Sequence, residues 1–299
     1  MSTLVLCESP ALGMPAVEPR VIDPATPLAS ATDLGLTRGD GIFESVGVHH
    51  GRMHDLEPHL ERLAQSARLM DMPAPDLDSW RKAVELAVAE LLASLSHIPV
   101  TVLCKLVYTR GLEAASSTPP GAPLGFALAY EFPDPTGPRM AGTSAVTLTR
   151  GYPLGIGQEA PWLTVGAKTL SYSVNMAALR HAAKKGAEEV VFTTSDGYVL
   201  EAPRSTVLIR NGDTVTTPAI EGGLLHGTAQ RSAFDAFEAL GLKCEYRDIT
   251  VEELAEAEAV WLTDSAFLLR PLHTLDGRHL AVDSHLTASA IGRMLADAQ

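Results

Sequence analysis

Two turn signals close together in the second half of the chain constrain the fold more than anything else in the sequence. Val190–Thr194 and Tyr198–Ala202 flank Ser195-Asp196-Gly197, and Val207–Arg210 and Thr214–Thr217 flank Asn211-Gly212. Alternating, β-branched runs joined by such turns read as two hairpins in succession, and therefore as a β-meander. Around them lie a strand near 145–150 and a helix from about Ser173 to Gly186, with Arg180, His181, Lys184 and Lys185 near its C-terminus complementing the macrodipole. A helix over Thr228–Leu240 stops at Gly241, and Thr250 with Glu253 forms a capping box for a short helix before a strand at 259–263.

The first half follows a different pattern. Ile42 to Val48 alternate before a turn at His50-Gly51, which reads as a hairpin arm. Leu60, Leu63, Ala64 and Ala67 then fall at helical spacing, so 58–70 is expected to be an amphipathic helix with Glu61, Arg62 and Gln65 on its polar face. Asp78 is expected to cap a second helix, whose stripe of Trp80, Val84, Ala87, Leu91 and Leu95 runs to about Ser96. Strands at 100–108 and 126–132 lead into Pro133-Asp134-Pro135-Thr136-Gly137-Pro138, which favours extended and turn conformations. At 299 residues the chain exceeds one ordinary core. The expected layout is a smaller domain at 1–132, a linker at 133–143 and a larger domain at 144–299. Strands and helices cluster rather than alternate, which makes both domains α+β.

Composition narrows the function. Lys plus Arg is 23 and Asp plus Glu is 36, a net charge of −13, whose field repels nucleic acid and anionic lipid. Cys7, Cys104 and Cys244 are odd in number and unpatterned, as expected of a reduced, cytoplasmic protein without structural zinc. Neither a signal peptide nor an apolar run of membrane-spanning length is visible. Walker A, G-x-S-x-G, H-E-x-x-H and dinucleotide patterns are all missing. His49, His50, His54 and His59 lack metal-ligand spacing and read as surface-loop histidines, so no metal is expected.

The stretch 166–206 is richer in chemistry. Lys168 stands alone among small and apolar residues ahead of a helix, a setting suited to an imine-forming amine; the alternative is a solvated loop lysine. Glu201 shares a strand face with Val199, where a carboxylate calls for a partner such as a protonated ring nitrogen, unless it lies on an edge facing water. Gly227, after Gly222-Gly223, precedes a helix whose first N–H groups and Thr228 suit a phosphate or form an ordinary hydroxyl-capped junction.

With these residues in view, the chain resembles the fold-type IV pyridoxal-phosphate enzymes, the class IV aminotransferase family. The resemblance rests on RGDGIFES (38–45), HLERLAQSARLM (59–70), AKTLSYSVN (167–175), EEVVFTTSDGYVLEAPRST (188–206) and LHGTAQ (225–230), in the family's order and spacing. It implies a two-domain α+β fold, with a smaller N-terminal α+β sandwich and a larger C-terminal β-barrel-like domain with helices. It implies pyridoxal 5'-phosphate, a small-molecule substrate and a homodimer. Carried over by position, Lys168 forms the imine with the cofactor, and Arg62 with Gly227, Thr228 and Ala229 holds its phosphate. Glu201 pairs with the pyridine nitrogen, Ser265 approaches the phosphate, and Tyr172 lies near the cofactor with a one-residue offset.

Departures are also visible. Thr206 replaces the family's asparagine, and Gly227-Thr228-Ala229-Gln230 stands for G-I-T-R, losing a hydroxyl and an arginine. After the Thr109-Arg110-Gly111 triplet, Leu112-Glu113-Ala114-Ala115 lacks a further arginine that grips substrate carboxylate. Arg38 and Arg110, then Lys105 and Arg204, are the substrate-binding candidates, each with a solvated or ion-paired alternative. PWLTVGAKTLSYSVNMAALRHAAKKGA and DGYVLEAPRSTV look most like actinobacterial aminodeoxychorismate lyases. The expected reaction converts 4-amino-4-deoxychorismate to p-aminobenzoate and pyruvate; the alternative is an aminotransferase of D-amino acids or branched-chain L-amino acids.

Overall fold

The computed structural model describes residues 1–7, 18–113, 123–219 and 223–296. Gly222, Ala114 and Ala115 lie outside the described residues. The chain forms two compact units, Met1–Asp134 with Ala167–Tyr172, and Pro135–Gly166 with Ser173 onward.

The first unit runs β1 (Ser2–Leu6), β2 (Arg20–Ile22), α1 (Leu34–Arg38), β3 (Gly41–His49), β4 (Arg52–His54), α2 (Leu56–Leu69), α3 (Leu77–Ser94), β5 (Thr101–Thr109) and β6 (Gly125–Glu131). Its strands form one antiparallel sheet in the order β2-β1-β6-β5-β3-β4. Ile42, Val46 and Val48 alternate onto one face of β3 and pack with Leu60 and Leu63 of α2 and Trp80, Val84 and Leu91 of α3. Each such large apolar side chain contributes about 1.5–3 kcal/mol on burial. Asp76, not Asp78, caps α3: it is extended and accepts from the N–H groups of Asp78 and Ser79, so Asp78 already sits in the first turn. The surface-loop reading of the histidines holds for His50, which is exposed in the β3–β4 turn, and is overturned for the other three. His49, His54 and His59 are buried: His49 Nδ1 lies 3.0 Å from Thr101 Oγ1 of β5, the His49 and His54 rings meet with centroids 6.0 Å apart, and His59 on α2 reaches Glu44 of β3.

The second unit contains α4 (Thr136–Ala141), β7 (Thr143–Thr149), α5 (Ile156–Glu159), α6 (Ser173–Lys184), β8 (Glu189–Thr193), β9 (Thr206–Asn211), β10 (Thr214–Thr217), α7 (Thr228–Ala239), β11 (Lys243–Tyr246), α8 (Val251–Glu256), β12 (Ala259–Thr263), β13 (Arg270–Leu275), β14 (Arg278–His279) and α9 (Ser284–Ala296). The sheet order is β11-β10-β9-β12-β13-β7-β8, with β14 on β13. The Asn211-Gly212 hairpin forms as β9–β10, and the Thr250–Glu253 capping box is present. The expected meander does not form. The first hairpin closes, with Thr194 N–H donating to Tyr198 O and Leu200 N–H to Phe192 O, both at 2.8 Å. Its second arm does not pair with β9, whose neighbours are β10 and β12, while β8 pairs in parallel with β7 on its other side. A turn closed by Ala202 N–H to Ser205 O at 2.9 Å diverts the chain before β9 starts. Within the stretch expected as a linker, α4 forms and buries Arg139. Among the described residues no helix is long and apolar enough to cross a membrane.

Candidate active site

In the first unit, Lys168 is held by its backbone. Phe43 N–H donates to Lys168 O at 2.9 Å, Leu170 N–H to Gly41 O at 2.8 Å, and Lys168 N–H to Ser66 Oγ of α2 at 3.1 Å. The segment therefore extends the free edge of β3, and the side chain turns onto the sheet face that α2 and α3 leave uncovered. There the Lys168 Nζ lies 4.8 Å from the Phe43 ring centroid, and Lys105 Nζ from β5 lies 5.1 Å from the same centroid. Tyr172 packs edge-on against that ring at 5.3 Å. One aromatic side chain thus gathers Lys168, Tyr172 and a second amine, Lys105.

Arg62, read from the sequence as part of the polar face of α2, is buried in an ionic cluster. Its Nε and Nη2 donate to Glu44 Oε1 and Oε2 at 2.7 and 2.8 Å, a two-point fork from α2 to β3. His59, one turn earlier on α2, places Nδ1 2.7 Å from Glu44 Oε2. Burial works to raise the Glu44 carboxyl, but Arg62 and His59 together hold it well below the usual carboxylate range. Burial pushes the His59 imidazole below its ordinary value against the pull of Glu44. A neutral ring with its proton on Nδ1 therefore donates to Glu44, and the 3.4 Å approach of Arg62 Nη2 to Nδ1 is a contact between two donors. Sequence reasoning missed Glu44 and His59. The signal was present: Glu44 falls on the inward-facing positions of β3, and His59 and Arg62 stand at i, i+3 on α2.

The substrate-binding candidates differ in how they are engaged. Arg110 donates from all three nitrogens, to Asp40 Oδ2 at 2.7 Å, Asp71 O at 3.0 Å and Met70 O at 2.6 Å, which ties it to the protein. Arg38, at the end of α1, is exposed and reaches Glu113 at only 3.5 Å. Arg204 pairs with Glu189 at 2.9 Å, and Arg270 meets the same carboxylate at 2.6 Å. Burial pushes the thiols of Cys7, Cys104 and Cys244 up to about 12, which removes them as nucleophiles at neutral pH.

In the second unit, Glu201 follows β8 with its carbonyl held by Phe192 N–H at 3.0 Å. The next turn is braced by Asn175 Nδ2, which donates to Pro203 O at 2.8 Å, while Arg150 Nη1 donates to Asn175 Oδ1 at 3.0 Å. Gly227 is the N-cap of α7 and supplies no side-chain cap; Thr228 and Ala229 open the first turn, both buried. Ser265 lies in a turn organised by Asp264, whose Oδ1 accepts from Ala266 and Phe267 N–H, both at 2.8 Å. Asp264 Oδ2 accepts from Ser205 Oγ at 2.9 Å. Arg139 donates to Phe267 O at 2.8 Å and Ala266 O at 3.3 Å. Among the described residues no group of His, Cys, Asp and Glu suits a metal ion.

The profile of the Amino-transferase class IV family matches residues 41–275. The chain is 45% identical over 268 residues, 87% of its length and 90% of the relative's, to a protein of Mycobacterium tuberculosis (strain ATCC 25618 / H37Rv) named bifunctional aminodeoxychorismate lyase / D-amino acid transaminase. Among solved structures, a fold IV-transaminase from Curtobacterium pusillum superposes with a TM-score of 0.92 at 41% identity, covering 99% of both chains. A hypothetical aminotransferase from Mycobacterium tuberculosis in its PLP-bound form gives 0.87 at 40%, covering 99% of this chain and 100% of that one. With the profile spanning more than half of the residues and these relatives nearly the whole fold, the chain belongs to the class IV aminotransferase family, built on the fold-type IV architecture.

Proposed function

We propose that this protein is a pyridoxal-phosphate-dependent aminodeoxychorismate lyase, releasing p-aminobenzoate and pyruvate from 4-amino-4-deoxychorismate. The cofactor is pyridoxal 5'-phosphate, and the donor set suits it. Lys168 supplies an amine beside an aromatic ring, Arg62 a guanidinium oriented by Glu44, and α7 a helix N-terminus without a side-chain cap. In this reading Arg62, Gly227, Thr228, Ala229 through its backbone, and Ser265 hold the phosphate. Glu201 keeps the pyridine nitrogen protonated and Tyr172 flanks the ring. When bound, the cofactor supplies an electron sink for the pair left by bond breaking at the amine-bearing carbon.

Lys168 first holds the cofactor and then, displaced by the substrate amine, acts as proton carrier. Its neutral amine takes the proton from ring C4. The C–O bond to the enolpyruvyl group then breaks, the ring becomes aromatic, and Lys168 returns the proton to the departing enolpyruvate, which leaves as pyruvate. Lys105, sharing Phe43 with Lys168, offers a fixed cation to one of the substrate's carboxylates, with exposed Arg38 as a second candidate.

What carries the choice of reaction is the relative named for this lyase activity, 45% identical over 87% of the chain. Transamination of D-amino acids is the second reading, favoured by that relative's other named activity and by the transaminase that superposes at 0.92. The proposal extends to a cytoplasmic homodimer: the cysteines are free, and the expected native mass is twice 31.7 kDa. The test is an assay of cofactor-loaded protein with freshly generated 4-amino-4-deoxychorismate and no keto acid. Equal amounts of p-aminobenzoate and pyruvate support the lyase. Neither product, with the lysine-bound cofactor's visible band intact, overturns it and turns attention to half-reactions with D-alanine.

A further inference from the structure

Three elements of the second unit end at one place. β9 begins at Thr206, paired across the sheet with Thr263 at the end of β12, just before the turn that carries Ser265. Ser205, one residue earlier, is fastened to that turn through Asp264. On the other side stands the N-terminus of α7: a Cβ built on Gly227 comes within 2.6 Å of Thr206 Oγ1 and 2.9 Å of Gln230 Cβ. A capping side chain leaves an N-cap residue along that Cβ direction to meet the first-turn N–H groups. The Thr206 hydroxyl therefore stands close to where a capping side chain would stand, but it comes from a neighbouring strand.

It caps nothing. The hydroxyl has no hydrogen-bond partner among the described residues, and its position explains why residue 227 carries no side chain. Gln230, in the same first turn and 1% exposed, has Oε1 bound by Tyr246 Oη at 2.9 Å and Nε2 without a partner. Two uncommitted polar groups thus lie at the start of a 12-residue helix, where aligned peptide dipoles favour an anion.

We propose that Thr206 Oγ1 is a direct ligand of the cofactor's phosphate, donating a hydrogen bond beside the first N–H groups of α7. The inference rests on the reading that seats the phosphate at this helix. It supplies a hydroxyl to a first turn in which position 229 is alanine.

The experiment measures dissociation constants of the apoprotein for pyridoxal 5'-phosphate and for pyridoxal, which lacks the phosphate. Wild type, Thr206→Val, which keeps the shape, and Thr206→Ser, which keeps the hydroxyl, are compared. Thr206→Val is expected to weaken pyridoxal-phosphate binding at least about tenfold, as for a lost hydrogen bond to a charged group. Pyridoxal binding should stay unchanged and Thr206→Ser should restore the wild-type preference. Equal preference in Thr206→Val and wild type, or an equal loss for both ligands, overturns the inference. Should wild type itself bind the two ligands equally, it is the placement of the phosphate that falls.

Discussion

Replacing Glu44 by glutamine tests the buried ionic cluster without changing its shape. Glu44 is 0% exposed, His59 1% and Arg62 9%, so water does little to compensate a lost charge. The amide keeps one acceptor, but its NH2 must then face either the Arg62 guanidinium or the His59 Nδ1–H, setting donor against donor. Leaving one member of a buried pair uncompensated costs about 3–5 kcal/mol. With about 2–4 °C lost per kcal/mol in a protein of this size, the melting temperature should fall by about 6–20 °C at pH 7.5. The pH dependence has a definite sign. Because the folded-state pKa of Glu44 is depressed, its contribution is complete above the unfolded value of about 4.3 and is lost as pH falls further. His59, also depressed, adds a loss of stability that begins as pH drops through about 6.5. Calorimetric melts of wild type and Glu44→Gln from pH 8 to pH 3.5 should therefore show a gap that is large at neutral pH and narrows below about pH 4.3. A melting point within about 2 °C of wild type at pH 7.5, or a gap that does not narrow in acid, would refute the reasoning.

Lys168→Ala should abolish turnover and the visible band of the lysine-bound cofactor; near-wild-type activity in either assay removes the mechanism. Lys105→Met should raise KM for a dicarboxylate substrate about tenfold or more, as for a lost charged contact, with a smaller effect on kcat; an unchanged KM would assign Lys105 to packing on Phe43. Gly125→Ala should destabilise the first unit by about 1–3 kcal/mol, because the new methyl overlaps the Cys7 carbonyl and the Trp80 ring. Urea unfolding indistinguishable from wild type would show that β1 and β6 can move apart at no cost.

Much of this protein is written locally. The stripe of Leu60, Leu63 and Ala67 becomes the buried face of α2, and Asn211-Gly212 becomes the β9–β10 turn. Thr250 and Glu253 cap α8 as their spacing requires. These succeed because each depends on neighbours within a turn or two, where backbone dihedrals and hydrophobic period act directly. The same holds for the five ordered segments that carried the family resemblance. Partnership between distant segments was not written there. Ser195-Asp196-Gly197 closes the hairpin its residues call for, yet the parallel pairing of β8 with β7 and the departure of β9, after the Ala202–Ser205 turn, to β10 and β12 depend on segments far away in the chain. The burial of His49, His54 and His59 and the pairing of Glu44 with Arg62 were likewise decided only when the sheet was assembled. Sequence chose the elements and supplied Lys168, Arg62 and Glu201. The order of strands chose their neighbours, because desolvation and ion pairing depend on what is packed against a group, not on what precedes it in the chain.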